Sequence, residues 1–214
     1  MTARIDHLET SGTFSLDGET HQVDNNVWIV GNSTECIIID PAHDANAVHQ
    51  AVQGRNVAAI LLTHGHDDHI SEALTVRDFV DAPVLLNAED RMLWDAVYPV
   101  QGPDGSIQDG DTFTIAGVTL TAFETPGHSP GSTCFYSAEL EDGQGAVFTG
   151  DTLFAGGPGA TGGRSYTSFD AIIKSISEVL LELPESTRVL TGHGESSTIG
   201  TVKPHLQEWI DRGY

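Results

Sequence analysis

Positive charge is what this chain has least of. Nine Lys and Arg stand against 31 Asp and Glu in 214 residues, a formal net charge of −22 at pH 7. No stretch gathers the basic residues into a patch. The electrostatic footprint that a phosphate backbone or an anionic lipid surface requires is missing, so neither nucleic acid nor a membrane is expected as a partner. The surplus acid suits a very soluble protein, whose self-repulsion salt would screen. Cysteine is nearly absent too, with Cys36 in "TECIIID" and Cys134 in "GSTCFYS". Two cysteines in apolar stretches make no disulfide framework and read as buried free thiols of a cytoplasmic protein. The opening "MTARIDHLETSG" has neither the apolar core nor the basic flank of a secretion signal. No run approaches the roughly 18 apolar residues of a membrane helix. At 39% hydrophobic the chain has material for one sizeable core, and a single domain over 1–214 is expected.

The pattern along the chain is mixed. Residues 25–31 and 35–41 are strand candidates joined by a hairpin-type turn, and 43–54 has helix formers that end at glycine. The apolar run 56–64 predicts a strand covered on both faces. Residues 70–80 predict an amphipathic helix with Ile70, Leu74, Phe79 and Val80 on one side. A short strand, 83–86, precedes a helix capped by Asn87 with Asp90 at its third position. "DTFTIAG" and "VTLTAFETPG" form a hairpin, "GSTCFYSAE" and "QGAVFTGD" a second β pair. After the glycine-rich loop 156–163, Ser168 caps a helix over 168–183, then a strand in "TRVLTGHG" and a terminal helix in "TVKPHLQEWI" follow. His7 and His21 lie in an unstructured-looking or edge region. His43 and His49 fall in a surface helix and His205 in the terminal one; none of these five is expected to touch metal.

One segment carries the chemistry. "ILLTHGHDDHISEAL" places His64, His66, Asp68 and His69 directly behind a buried strand and before a helix, where open sheets collect their ligands. Three later positions share that context: His128 in "FETPGHSPGS", Asp151 in "AVFTGDTLF" and His193 in "RVLTGHGE". Each alone passes for a turn residue. If their strands lie side by side, all seven side chains converge on one edge. Imidazole and carboxylate suit zinc, manganese or iron, and three protein ligands with an open position make a catalytic site. His64 and His66 alternate on an extended backbone and can face one ion, completed by His128. Asp68, His69 and His193 can hold a second, and Asp151 has two oxygens with which to bridge them. Asp68 and Asp151 are the carboxylates expected closest to the chemistry. A water shared by two such cations loses its proton near neutral pH and becomes a nucleophile for a carbonyl, so no serine or cysteine is needed; Ser129 is a turn residue on this reading.

The set THxHxDH, GH, GD and GHG resembles the metallo-β-lactamase superfamily over roughly residues 25–200, and within it the short, single-domain, glyoxalase II-like hydrolases of bacteria. The resemblance implies a four-layer αββα sandwich of mixed α/β class, with two metals at one edge between the sheets. It implies the same division of the seven ligands. It also implies that Asp40, which ends "CIIID", supports the histidine loop from behind, as a carboxylate does when it fixes an imidazole's tautomer and orientation; the plainer alternative is a turn cap before Pro41. Gly65, Gly127 and Gly194 are expected to give the backbone room near the ions.

Departures from the family narrow the substrate. Lactamases of the superfamily lack an aspartate matching Asp151 as a bridge. The nuclease branch has a basic surface, absent here. Glyoxalase II holds glutathione with basic residues of a C-terminal helical extension, whereas after His193 this chain has only Lys203 and Arg212. The expectation is a hydrolase of a small-thiol thioester, using two divalent ions, with zinc first and iron or manganese as alternatives. Past Asp151, Arg164 is a candidate for a substrate carboxylate and Tyr166 for the same pocket, unless Arg164 pairs with one of the many acids. Other readings are an ester or lactone hydrolase, a persulfide dioxygenase with one iron at His64 or a neighbour, His128 and Asp151, and a non-catalytic binding protein stabilised by its metal. Oligomeric state is open.

Overall fold

The computed structural model describes residues 3–16 and 18–213. Two six-stranded sheets make up its centre. The first runs in the order β1 (Arg4–Leu16), β2 (Glu19–Gly31), β3 (Glu35–Ile39), β4 (Asn56–Leu61), β5 (Val84–Asn87), β6 (Gly105–Ile107). The second contains β7 (Thr112–Ile115), β8 (Val118–Glu124), β9 (Thr133–Ser137), β10 (Ala146–Gly150), β13 (Arg188–Thr191) and β14 (Ser197–Thr198), ordered β14-β13-β10-β9-β8-β7. Between β10 and β13, β11 (Leu153–Phe154) and β12 (Gly157–Pro158) pair as a small ribbon. Helices α1 (Ala45–Val52), α2 (Asp67–Ile70), α3 (Ala73–Val80) and α4 (Arg91–Val97) belong to the first half. Helices α5 (Phe169–Glu178), α6 (Ile199–Val202) and α7 (Leu206–Arg212) belong to the second.

Strand alternation divides the apolar residues among three cores. On β2, Trp28 and Val30 point between the sheets and meet Phe135, Phe148 and Leu190; Val27 and Ile29 point the other way, onto Val48 of α1 and Val76 of α3. β3 and β4 likewise supply both sides, which is why their sequences are continuous apolar runs rather than alternating ones. On the far side, Val147 and Val189 pack against Ile172 and Ile176 of α5 and Trp209 of α7. The result is the four-layer αββα sandwich.

Several elements differ from the sequence pattern. β1 is a thirteen-residue strand paired with β2 along its whole length, and β2 begins at Glu19 rather than 25. This ribbon projects beyond the core, so its residues alternate too weakly for a strand to be legible. His7 is therefore in a strand, stacked on Trp28 at 4.4 Å and bonded to Asn26 Oδ1 at 2.7 Å. His43 precedes α1 instead of lying in it, with a left-handed φ of 59° and a half-buried ring. The helix expected over 70–80 is broken: α2 ends at Ile70 and α3 starts at Ala73, with Phe79 44% exposed against His49 instead of on the buried face. The helix over 168–183 stops at Glu178 and tightens into a 3₁₀ turn at 180–182, although Ser168 does cap it, accepting from Ala171 N. Asn87 caps a 3₁₀ turn rather than an α-helix. Cys36 and Cys134 are both free and buried.

Candidate metal centre

Five strand ends meet at one edge of the sandwich. Asp40 follows β3, the loop 63–69 follows β4, His128 follows β8, Asp151 follows β10 and His193 follows β13. The sheets are tied together there. Thr133 N donates to Thr63 O at 2.8 Å, and Asn26 N to Gly192 O at 2.8 Å. The first histidine loop and the His193 loop thus leave their strands at points already held against the opposite sheet.

All seven residues singled out from the sequence come together. His66 Nδ1 lies 3.0 Å from both His64 Nε2 and His128 Nε2. His193 Nε2 lies 3.1 Å from Asp68 Oδ2 and 3.3 Å from His69 Nε2. Asp151 stands between the groups: Oδ2 is 3.6 Å from both His128 Nε2 and His193 Nε2, and Oδ1 is 3.3 Å from His69 Nε2. All but Asp151 and His193 are at most 5% exposed.

The donor set fits divalent ions. Three nitrogens each ~2.1 Å from one ion would sit roughly 3.0–3.4 Å apart, the separation observed. Every outward-facing nitrogen is engaged elsewhere. His64 Nδ1 meets Thr63 Oγ1 at 3.1 Å, His66 Nε2 meets Tyr166 Oη at 3.1 Å and His128 Nδ1 meets Ala160 O at 2.9 Å. His69 Nδ1 meets Asp40 Oδ2 at 3.0 Å and His193 Nδ1 meets Asp24 O at 2.7 Å. With the protons on those outer nitrogens, the inner nitrogens present lone pairs to the centre. Asp151 Oδ1 is buried and accepts no hydrogen bond. A buried carboxylate oxygen left so, facing imidazoles, is an acceptor in want of a cation.

Electrostatics separates the two triads. Burial, reinforced by neighbouring imidazoles, holds His64 and His128 below the usual histidine range and His66 down to about 3, so all three are neutral. At His69 and His193 burial works against the charge but Asp68 and Asp151 outweigh it, and both imidazoles rise. The same attraction, overcoming burial, lowers Asp68 and Asp151.

Asp40 stands directly behind the first histidine loop. Its Oδ1 accepts from Thr63 N at 2.8 Å, while Oδ2 takes Thr63 Oγ1 at 2.6 Å as well as His69. One carboxylate therefore orients His69 directly and His64 through the threonine hydroxyl. Arg164 reaches the site, whereas Tyr166, expected in the same pocket, meets the outer nitrogen of His66 and lines a separate small cavity with Phe14 and Leu93. Arg164 lines a cavity of about 530 Å³ that opens onto His66, Asp68, His128, Asp151 and His193. It makes no ion pair among the described residues; its guanidinium lies 5.8 Å from the centre of the Phe14 ring, and its Nη1 is buried without a hydrogen-bond partner.

Other contributors carry no motif in the sequence. Asp90 is fully buried and accepts from Gly65 N, Gly131 N and Ser129 Oγ, so it ties the first histidine loop to the His128 loop instead of serving a helix end. Burial, outweighing these hydrogen bonds, raises its pKa. Phe14, at the end of the β1–β2 ribbon, stacks edge-on over His66 at 5.4 Å, held by Ser15 N donating to Asp67 at 3.0 Å. Asn25 touches Asp68, His69 and His193. The glycines serve otherwise than expected: a Cβ on Gly127 would strike Ile172 of α5, and Gly194 has open space and a φ of 66°. It is Gly192 whose added Cβ would overlap Asp151 Oδ1 and come within 2.7 Å of His69 Cε1.

An αββα sandwich with a three-histidine triad and a His/Asp triad at its sheet edge defines the class: proteins built to hold divalent metal there. The metallo-beta-lactamase superfamily profile matches residues 22–193, and the chain belongs to that superfamily. It is 33% identical over 193 residues to the probable metallo-hydrolase YqgX of Bacillus subtilis, covering 82% of this chain and 88% of that one. It is 33% identical over 177 residues to the hydroxyacylglutathione hydrolase of Yersinia pestis, covering 79% of this chain but 62% of the relative. Among solved structures, the BLEG-1 B3 metallo-beta-lactamase superposes with a TM-score of 0.76 at 28% identity, over 94% of this chain and 99% of that one. TTHA1623, in a di-iron-bound form, superposes with a TM-score of 0.70 at 28% identity, over 91% and 96%.

Proposed function

We propose that this protein is a dinuclear metal-dependent hydrolase of glyoxalase II-like type, cleaving a thioester of a small thiol. The observation that carries the reading is the pair of intact triads sharing Asp151 at the floor of an open cavity with Arg164 in its wall. His64, His66 and His128 would hold one ion, Asp68, His69 and His193 the other, and Asp151 both. Zinc is the ion we infer; the same nitrogen and oxygen donors admit iron or manganese, and the di-iron form of TTHA1623 supports iron as a competitor. Divalent ions held there supply Lewis acidity and bring the pKa of a coordinated water toward neutrality.

The chain's own residues do the rest. Asp40 and Thr63 keep the inner lone pairs of His64 and His69 directed at the centre. Phe14, Val23 and Phe154 line the cavity with apolar surface against which an acyl group or thiol stem can pack. Arg164, unpaired at Nη1, is placed to take a substrate carboxylate, and Tyr166 holds the outer nitrogen of His66 from a separate small cavity. A thiolate is a good leaving group and needs little proton donation. We infer small molecules, not nucleic acids or membranes, as partners.

The hydroxyacylglutathione hydrolase relative supports a thioester, although this chain spans under two thirds of it. A second reading, β-lactam hydrolysis, draws on BLEG-1. One panel separates them: lactoyl-glutathione, acyl thioesters of other thiols, aryl esters, a cephalosporin and a phosphodiester, each with zinc, manganese and iron. Thioesters are expected to react fastest. Preference for the cephalosporin would favour the second reading. One tightly bound iron with oxygen uptake on glutathione persulfide would sink both.

A further inference from the structure

We propose that Asn25 is a positioning residue for the second metal site, holding Asp68 through its side-chain amide, and that His43 fixes the orientation of that amide. The inference rests on the reading that Asp68, His69 and His193 hold an ion.

Asn25 lies on β2 and is completely buried. Its Nδ2 is 3.2 Å from Asp68 Oδ2, 3.4 Å from His69 Nε2 and 3.4 Å from His193 Nε2. It therefore caps the face of the second triad that looks into the protein. The other contacts described for Asp68 Oδ2 are His69 and His193. Once an ion occupies the site, the inner nitrogens of those two imidazoles turn their lone pairs to it and cease to donate. Asn25 is then the one donor left on the Asp68 carboxylate among the described residues. A buried carboxylate with no donor is free to rotate and is harder to keep ionised, and its metal affinity falls with it.

An amide can face either way, so something must choose. Asn25 Oδ1 is 2.7 Å from His43 Nε2, whose N–H donates to it. Turning the amide would set two acceptors against each other at Asp68 and lose the His43 bond. His43 is itself held from three sides. Its backbone takes a left-handed φ, its N–H donates to Ser71 Oγ at 3.3 Å, and its ring rests on Gly12 of β1, where any Cβ would overlap it. A non-glycine residue in that conformation, with a glycine opposite to admit the ring, is an arrangement built to aim an imidazole.

The test is metal affinity, not turnover. Chelator-stripped wild type, Asn25→Ala, Asn25→Asp, His43→Phe and His43→Gln are titrated with Zn²⁺ and Co²⁺ against a chromogenic chelator, with circular dichroism as the folding control. Wild type takes up two ions. Asn25→Ala should lose about 10–100-fold in affinity for the second ion while the first is held as in wild type. Asn25→Asp should do no better than Ala, because a carboxylate cannot donate. His43→Phe should show a smaller loss in the same direction, partly restored in His43→Gln, whose amide can donate. If Asn25→Asp binds the second ion as tightly as wild type, oxygen or volume matters there, and the inference is overturned. Tight second-ion binding by Asn25→Ala overturns it equally. A wild type that takes up a single ion overturns the dinuclear reading and this inference with it.

Discussion

Gly65 N donates to Asp90 Oδ2 at 2.8 Å, and that bond joins the first histidine loop to a buried acid. The same acid takes Gly131 N at 2.6 Å and Ser129 Oγ at 2.7 Å from the His128 loop. Asp90 is thus the covalently unrelated clamp that sets His64 and His66 opposite His128. In Asp90→Asn an amide replaces one acceptor oxygen, so at least one buried N–H or O–H faces a donor. We expect a loss of about 1–3 kcal/mol of stability, read by thermal or denaturant unfolding, and weaker binding of the first ion. An unchanged unfolding midpoint would contradict the clamp.

Asp151 is the residue both triads share. Asp151→Ala should lower the bound metal by at least one equivalent, measured by elemental analysis of protein purified without chelator. Turnover should fall by orders of magnitude. The fold should survive, because the three apolar cores, not the centre, hold the layers together. An unchanged rate would place the chemistry elsewhere.

Arg164→Ala should raise KM for a carboxylate-bearing thioester and leave kcat and metal content near wild type, since its guanidinium faces the cavity rather than any ligand's hydrogen-bond partner. A neutral aryl ester should be insensitive to the change. Equal effects on both substrates would show that Arg164 shapes the loop and does not contact an anion.

The two triads should differ in pH dependence. His64, His66 and His128 are already neutral at pH 7 in the metal-free protein, so the first ion displaces few protons. His69 and His193 are raised by Asp68 and Asp151, and they must give up protons to the second ion. Second-ion affinity should therefore fall the more steeply as pH drops from 8 to 6. Calorimetric titration in two buffers of different ionisation enthalpy counts the released protons. The sign for the empty protein is opposite at the two triads. The raised pair adds stability that is full below the unfolded histidine value and is lost as pH rises through the raised values. The lowered three make the empty fold less stable as pH falls below the unfolded value.

Legibility followed the kind of signal each residue emits. The seven candidate ligands stood out because imidazoles and carboxylates behind apolar runs are rare and short-ranged in sequence, and a strand such as β10 is buried along its whole length. Asp90 and Asn25 emitted nothing comparable. An Asp three residues past a cap and an Asn beside another Asn are ordinary turn and edge chemistry, and their roles depend on partners 41 and 43 positions away. The β1–β2 ribbon escaped for another reason: a two-stranded arm with water on most sides has little apolar alternation to show, yet it carries Phe14 to the cavity.

By itself the sequence determined the layer composition, the free thiols and the chemical identity of the edge. Hydrophobic period and ligand type are local properties, written residue by residue. Only the tertiary structure decided which imidazole nitrogen faces inward, that Asp151 stands between the triads, that Gly192 rather than Gly127 must be small beside them, and that Asn25 and His43 lie behind Asp68. Those are relations between separate strands, the last within the first sheet and the others across the two. They are fixed by the packing of Trp28 and Val30 against Phe148 and Leu190 and by the few backbone bonds that join the sheets at one edge, and no local pattern encodes a distance across that gap.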